Sequence, residues 1–423
     1  MLIQFKVKNF LSIKNEVVFS MLAGAGDENS DNLIEIDNNN EKYLRSTGIY
    51  GANASGKTNF MKAFAAAILM IRKSNVRNID EPLIEMRPFK FDKTFSNKPC
   101  EFEFVFIQNN VKYVYGFSAD IEKIHSEYLY QYLSAKPSLV FERKNTNEYK
   151  FTQSEQKKLE ELAAKNTEKK LFLSTATEWN YEKTKDAYLW FAEKIDTYGD
   201  YKSLAPIAYK LFENDKNDEL KNFTINLLKE ADIIIKDYNF EIEKYDIDHI
   251  WPRAIYDTDE NGKIVRKAIR ISTIHEVEDE NGNTSEYELD LSEESLGTHN
   301  LFMLSPILKR AFEKGKIIVI DEIDKSIHPL LVEFIIKLFH NKQINKNNAQ
   351  LIFNTHNTNL LSLELFRRDQ IWFVEKNIKK GATELYPLDD FSVRKTENIQ
   401  KGYLNGRYGA IPFVANGDSL WEE

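Results

Sequence analysis

Gly51-Ala52-Asn53-Ala54-Ser55-Gly56-Lys57-Thr58 fits the pattern G-x-x-x-x-G-K-[ST], and each residue type in it has a chemical reason to be there. The glycines let backbone N–H groups wrap a chain of phosphates, and a helix opening just after them turns its positive end toward the same anion. Lys57 can neutralise charge on the β- and γ-phosphates, and the Thr58 hydroxyl can ligate Mg2+. By contrast, Gly24-Ala25-Gly26 lacks a third glycine and reads as a turn.

Lys316 to Ile320 is a short apolar run that ends in Asp321 and Glu322. A continuous apolar strand suits a buried parallel sheet, and carboxylates at its C-terminal end emerge where ligands bind in open α/β sheets. Asp321 is expected to hold the Mg2+ shell and Glu322 to polarise the attacking water. Gln350 to His356 is a second buried strand, ending in Thr355-His356, and places His356 where it could contact a γ-phosphate. Upstream, Ser295 and Gly297 precede an apolar helical run (Leu301, Phe302, Leu304, Leu308) and would form an anion-binding helix end.

The elements that must position these groups are legible as patterns. Residues 1–22 alternate apolar and polar, predicting two antiparallel strands. Ser46 to Tyr50 reads as a strand running into the phosphate loop, and Met61 to Ile71 as an Ala-rich helix behind it. Two alternating runs flank Asn109-Asn110, a hairpin signal, and short strands continue to about Phe151. Residues 152 to about 236 carry helical stripes: Leu159, Leu162 and Ala163; Leu189, Phe191 and Ile195; Phe223, Ile225, Leu228 and Ile233. No heptad persists, so no long coiled-coil arm is expected. Asn261-Gly262 and Asn281-Gly282 mark β-hairpins leading to a second α/β block from about residue 290. Lys57 and Asp321 stand 264 residues apart, so a large insertion divides the nucleotide-binding core.

Composition narrows the setting. The 423 residues can bury a sizeable core, and a formal net charge of −9 argues against coating nucleic acid by global charge alone. A local basic groove is compatible with that balance. The longest apolar run, Ala63 to Ile71, is far short of the roughly 20 residues that span a bilayer. Cys100 is the single cysteine, and no signal peptide is visible, so the expected setting is the cytoplasm with no membrane partner.

The order of phosphate loop, long insertion, Ser295-Leu296-Gly297, Asp321-Glu322 strand and His356 resembles that of ABC-type ATPases. These include chromosome-maintenance and recombination-repair ATPases and the OLD nucleases. A closer resemblance, over nearly the whole chain, is to OLD-like AAA-family proteins of bacterial abortive-infection and phage-defence loci, AbiLi-like and RloA-like. KVKNFLSI resembles that family's first strand, ESLGTHNLFML its signature, and DEIDKSIHP its Walker B and D-loop. IFNTHNTNLL, FRRDQIWFVEK and YLNGRYGAIP resemble its later blocks. Where transporter cassettes carry Ser-Gly-Gly this chain has Ser295-Leu296-Gly297, and no Q-loop glutamine is assigned, Gln108 lying in the hairpin.

The resemblance implies an α/β fold, an ABC-type P-loop NTPase head with a mixed sheet and an antiparallel β lobe. Residues 1–151 would form its N-terminal half, 152–290 a mainly helical insertion followed by hairpins, and 291–423 its C-terminal half. It implies ATP and Mg2+ as cofactors, and a head-to-tail homodimer (or higher assembly) in which Ser295 and Gly297 meet ATP held on the partner chain. The function it implies is an ATPase subunit of an antiphage system, controlling a separately encoded effector such as a nuclease or toxin. Nucleic acid or a phage-derived trigger is a candidate further partner. The 67 residues after His356 are too few for a TOPRIM nuclease, and adjacent Asp389-Asp390 do not match a metal-binding DxD. Two alternatives stand beside it. One is a DNA-clamping repair or chromosome-maintenance ATPase; the other is a nuclease using acids such as Glu293-Glu294 or Asp246 and Asp248.

Overall fold

Alternation at the start of the chain makes the antiparallel pair Leu2–Lys8 and Val17–Ser20, with Phe5, Val7, Val17 and Phe19 turned into the core. The structure, a computed structural model, describes residues 1–26, 28–36, 40–245, 254–258 and 264–412. The chain divides into two units. The first comprises Met1–Gly199, Lys314–Glu322 and Ile336–Glu423, the second Asp200–Glu313 and Ile323–Ile335.

The first unit contains two large sheets. One is antiparallel throughout, in the order Glu148–Phe151, Ser138–Lys144, Ile124–Tyr132, Val111–Ala119, Cys100–Gln108, Leu2–Lys8, Val17–Ser20. Its hairpin turn is Asn109-Asn110, both with positive φ, as a two-residue connection of right-twisted strands requires. Helix Lys57–Arg72 buries Phe60, Phe64, Ala67 and Ile71, a helical stripe, against this sheet. Phe64 stacks on Phe5 with ring centroids 3.9 Å apart and meets Phe104 edge-on at 6.2 Å. A fully buried phenylalanine contributes about 2–3 kcal/mol, so this aromatic cluster fixes the helix behind the phosphate loop.

The second sheet carries the strands named for chemistry. Its order is Ile195–Tyr198, Ile317–Ile320, Gln350–Asn354, Ser46–Tyr50, Ile371–Asn377, Ala382–Pro387. All neighbours are parallel except the last pair. Strands Ile317–Ile320, Gln350–Asn354 and Ser46–Tyr50 are buried along their whole length, as strands inside a covered parallel sheet must be. Gln350 joins the two sheets: its side chain accepts from Leu2 N–H at 2.7 Å and donates to Leu44 O at 2.9 Å.

Ile195 departs from the sequence reading. The helical stripe through Leu189 and Phe191 ends in a π-helical turn, Trp190–Lys194, and Ile195–Tyr198 leaves it as a strand parallel to Ile317–Ile320. Asp196 on that strand receives Arg72 from the end of the phosphate-loop helix (3.2 Å) and the buried Lys316 ammonium. A helical stripe scores only side-chain spacing; the edge position beside an apolar strand and two cations decided the conformation here.

In the second unit, helices Ala205–Glu213, Glu219–Glu230 and Leu296–Lys314 accompany a four-stranded antiparallel sheet. Strand Ile264–Glu278 pairs with Asp237–Tyr245, Ala254–Thr258 and Thr284–Asp290. Phe302 stacks on Phe212 at 5.2 Å and meets Tyr238 edge-on at 4.9 Å, and Tyr201 donates to Ile323 O at 2.6 Å. Gly282 of the second Asn-Gly turn takes φ +82°. The turn at Asn261-Gly262 and the acids Asp246 and Asp248 lie outside the described residues. No helix among the described residues is long and apolar enough to cross a membrane.

Candidate active site

Gly56 shows why the loop before helix Lys57–Arg72 has its shape. Its φ is +116°, and a Cβ there would lie 2.2 Å from Thr383 Oγ1. The Thr383 hydroxyl is 2.8 Å from both Ser55 O and Ser12 Oγ, and Asn59 donates to Ser12 Oγ at 2.8 Å. Two remote segments thus grip the loop from outside. No side chain caps the helix that follows, so its first-turn N–H groups are left for an anion. Lys57 is buried and its ammonium arches back to Gly51 O at 2.6 Å and Ala52 O at 3.0 Å. The Ser55 hydroxyl is buried with no hydrogen-bond partner, a second donor awaiting an acceptor.

The acidic strand delivers Asp321 beside Thr58, whose hydroxyl donates to Asp321 Oδ1 at 3.2 Å. Asn354, fully buried on the neighbouring strand, donates to the same carboxylate oxygen and accepts from Glu322 N–H at 2.5 Å. Glu322 itself sits at φ +53°, an unfavourable conformation for a glutamate that this hydrogen bond helps to hold. Burial raises the Asp321 pKa, opposed by hydrogen bonds from Asn354 and Thr58. A hydroxyl and a carboxylate this close match the oxygen donors a small hard divalent cation takes.

Lys57, Thr58, Glu322, Asn354, His356 and Lys376 line one cavity of about 470 Å3, together with the loop residues Asn53, Ala54 and Gly56. His356 lies two residues beyond strand Gln350–Asn354, with an exposed side chain. These groups fit a nucleoside triphosphate with Mg2+: Lys57 and the loop offer donors to phosphates, and Thr58, Glu322 and the adjoining Asp321 offer oxygens to a cation. Ser295 and Gly297 belong to the second unit. Ser295 Oγ accepts from Thr298 N–H at 3.1 Å, an N-cap bond opening helix Leu296–Lys314, and the D-loop segment approaches Gly297 at Ser326 O. Glu294 is held by Thr273 at 2.5 Å and His275 at 2.7 Å, and Glu293 accepts from Asp290 N–H at 3.0 Å. Gln108 ends its strand at the hairpin. The residues not foreseen are Asn354, Lys376, Ser12 and Thr383. Asn354 alone had a signal, a polar residue closing an otherwise apolar strand.

A family model described as "AAA domain, putative AbiEii toxin, Type IV TA system" matches residues 46–362, from the phosphate-loop strand to just beyond His356. Among curated proteins nothing matches. Among solved structures, the SMC head domain from Thermotoga maritima is 14% identical, with 91% of this chain and 98% of that one covered and a TM-score of 0.41. An Smc head domain with a coiled coil and joint from Pyrococcus yayanosii is 11% identical, with 96% and 99% covered and a TM-score of 0.43. An Smc head domain from Pyrococcus furiosus, bound to the C-terminal domain of ScpA, is 13% identical, with 91% and 96% covered and a TM-score of 0.39.

Proposed function

The chain belongs to the family described as AAA domain, putative AbiEii toxin, Type IV TA system, and from that premise we propose an ATP-driven switch whose two-chain closure controls a separate partner. It is an ATP-binding and ATP-hydrolysing P-loop ATPase domain. The observation that carries the reading is the meeting of Lys57, Thr58, Glu322, Asn354 and His356 around one cavity.

The backbone N–H groups of Gly51 to Thr58 and the Lys57 ammonium bind the phosphates, and Ser55 adds its orphaned hydroxyl. Thr58 and Asp321 hold Mg2+, which neutralises charge on the phosphate oxygens when bound. Glu322 orients the attacking water, and Asn354 fixes both acids. His356 reads the γ-phosphate. Ser295 and Gly297 reach the nucleotide of a second chain, giving a head-to-tail homodimer with two equivalent sites. ATP then favours closure because its γ-phosphate supplies an anion for the partner's helix end, and ADP does not.

The test is association. Glu322→Gln should bind ATP, lose turnover by orders of magnitude and pair in ATP and Mg2+ but not in ADP. Adding Ser295→Arg should abolish that pairing with ATP binding kept. Association of Glu322→Gln that is indifferent to nucleotide would end the shared-site reading.

Two finer roles rest on this core. In one, OLD-like, AbiLi-like or RloA-like, the switch gates a separately encoded antiphage effector. In the other it is a DNA-clamping repair, recombination or chromosome-maintenance ATPase. The neighbouring gene and DNA binding separate them.

A further inference from the structure

Phe91 is 74% exposed, and its ring has two close neighbours. It meets Phe89 edge-on at 5.7 Å, and Gly381 (φ +63°) comes so close that a Cβ there would lie 2.5 Å from Phe91 Cδ2. The ring borders a second cavity of about 460 Å3, lined also by Lys14, Lys376, Lys379 and Lys380. Lys376 lines this cavity and the phosphate cavity alike, its ammonium 5.9 Å from the Phe91 ring centroid. The segments that grip the phosphate loop through Ser12 and Thr383 run on, two residues away, to Lys14 and Gly381 in this second cavity.

From this continuity we propose that the Phe91 cavity takes the purine base of the nucleotide whose phosphates lie on Lys57; the proposal rests on the phosphate-loop reading. An exposed ring beside a phosphate cradle is a stacking platform, and stacking is indifferent to which purine lies on it. The charged side chains lining it are lysines, which donate hydrogen bonds and accept none. The nearby Asp92 carboxylate is already engaged, by Lys14 at 2.7 Å and Thr94 N–H at 2.8 Å. Such a lining has donors for guanine O6 and N7 and no free carboxylate for the adenine amino group. The site therefore accepts GTP as well as ATP.

Binding of ATP, GTP and inorganic tripolyphosphate to the full chain tests this, with Phe91→Ala, Phe91→Trp and Lys57→Ala. GTP should bind the wild type within about threefold of ATP, against the roughly tenfold that one 1.4 kcal/mol edge contact would give. Phe91→Ala should weaken both nucleotides by about tenfold or more, a loss typical of a stacked base, and leave tripolyphosphate unchanged. Phe91→Trp should restore both nucleotides. Equal loss of tripolyphosphate would make the ring a support of the loop and overturn the base site. Unchanged nucleotide affinity with weakened binding of a single-stranded oligonucleotide would assign the cavity to nucleic acid and overturn it too. GTP binding more than tenfold weaker than ATP would overturn the lysine-edge argument. Wild-type indifference to tripolyphosphate, or unaltered ATP binding in Lys57→Ala, would instead refute the phosphate-loop reading beneath it.

Discussion

Asn354 carries more of the site than its side chain suggests. One amide holds the Asp321 carboxylate and the Glu322 backbone, so it aligns the proposed metal ligand with the proposed water-orienting group. Asn354→Ala leaves both buried groups short of a partner, and should cost about 1–3 kcal/mol of stability. Turnover should fall at least tenfold, with ATP affinity kept because Lys57 and the loop are untouched. Denaturant unfolding and single-turnover hydrolysis measure the two effects; normal turnover in a folded variant would mean Asn354 only packs. Gly51 to Thr58 was legible because its eight residues are contiguous, each with a chemically dictated type. Asn354, Ser12, Thr383 and Lys376 were not, because they come from three segments remote from the loop, Lys376 and Thr383 facing each other across one hairpin, and only the folded chain shows which of them reach it.

At the scale of elements, strand Ser46–Tyr50, buried at every residue, was legible from the phosphate loop it runs into, whereas helix Lys57–Arg72 lies where helical spacing puts it because burial on one face leaves a periodic trace. Strand Ile195–Tyr198 left no such trace, its place resting on a neighbour and two cations from elsewhere in the chain. Ser46 also anchors a titrating contact. Its Oγ is 2.7 Å from Nε2 of buried His340, whose pKa is pushed down to about 3 by burial and by the charge of Arg45. The unfolded chain, with an ordinary histidine near 6.5, takes up that proton first as pH falls. Stability is thus full above about pH 6.5 and drains at about 1.4 kcal/mol per pH unit below it, toward pH 3. His340→Gln removes this titration, so its unfolding free energy should decline less steeply than the wild type's between pH 6.5 and 4.5. Parallel pH profiles would show that His340 is not the group responsible.

For the whole molecule, the two proposed roles lead to different outcomes. In the antiphage reading, this chain expressed alone is harmless and becomes toxic only with its effector, and the purified chain hydrolyses ATP without cutting nucleic acid. In the clamp reading, Glu322→Gln retains duplex DNA in ATP and releases it in ADP. Metal-dependent cleavage by the purified chain, lost on changing acids in residues 152–290, would exclude both. The sheet order also has a consequence in time. Strand Ser46–Tyr50 lies between Gln350–Asn354 and Ile371–Asn377, partners made some 300 residues later. At about 5–20 residues per second, a ribosome takes roughly 15–60 seconds to supply them. Every strand of the antiparallel sheet is made by Phe151 and can pair early, whereas the phosphate-loop strand waits with both edges unpaired. A nascent chain in that interval offers sticky β-edges to its neighbours on a polysome, so yield in the cell should follow translation speed and holdase supply more closely than the stability of the finished fold.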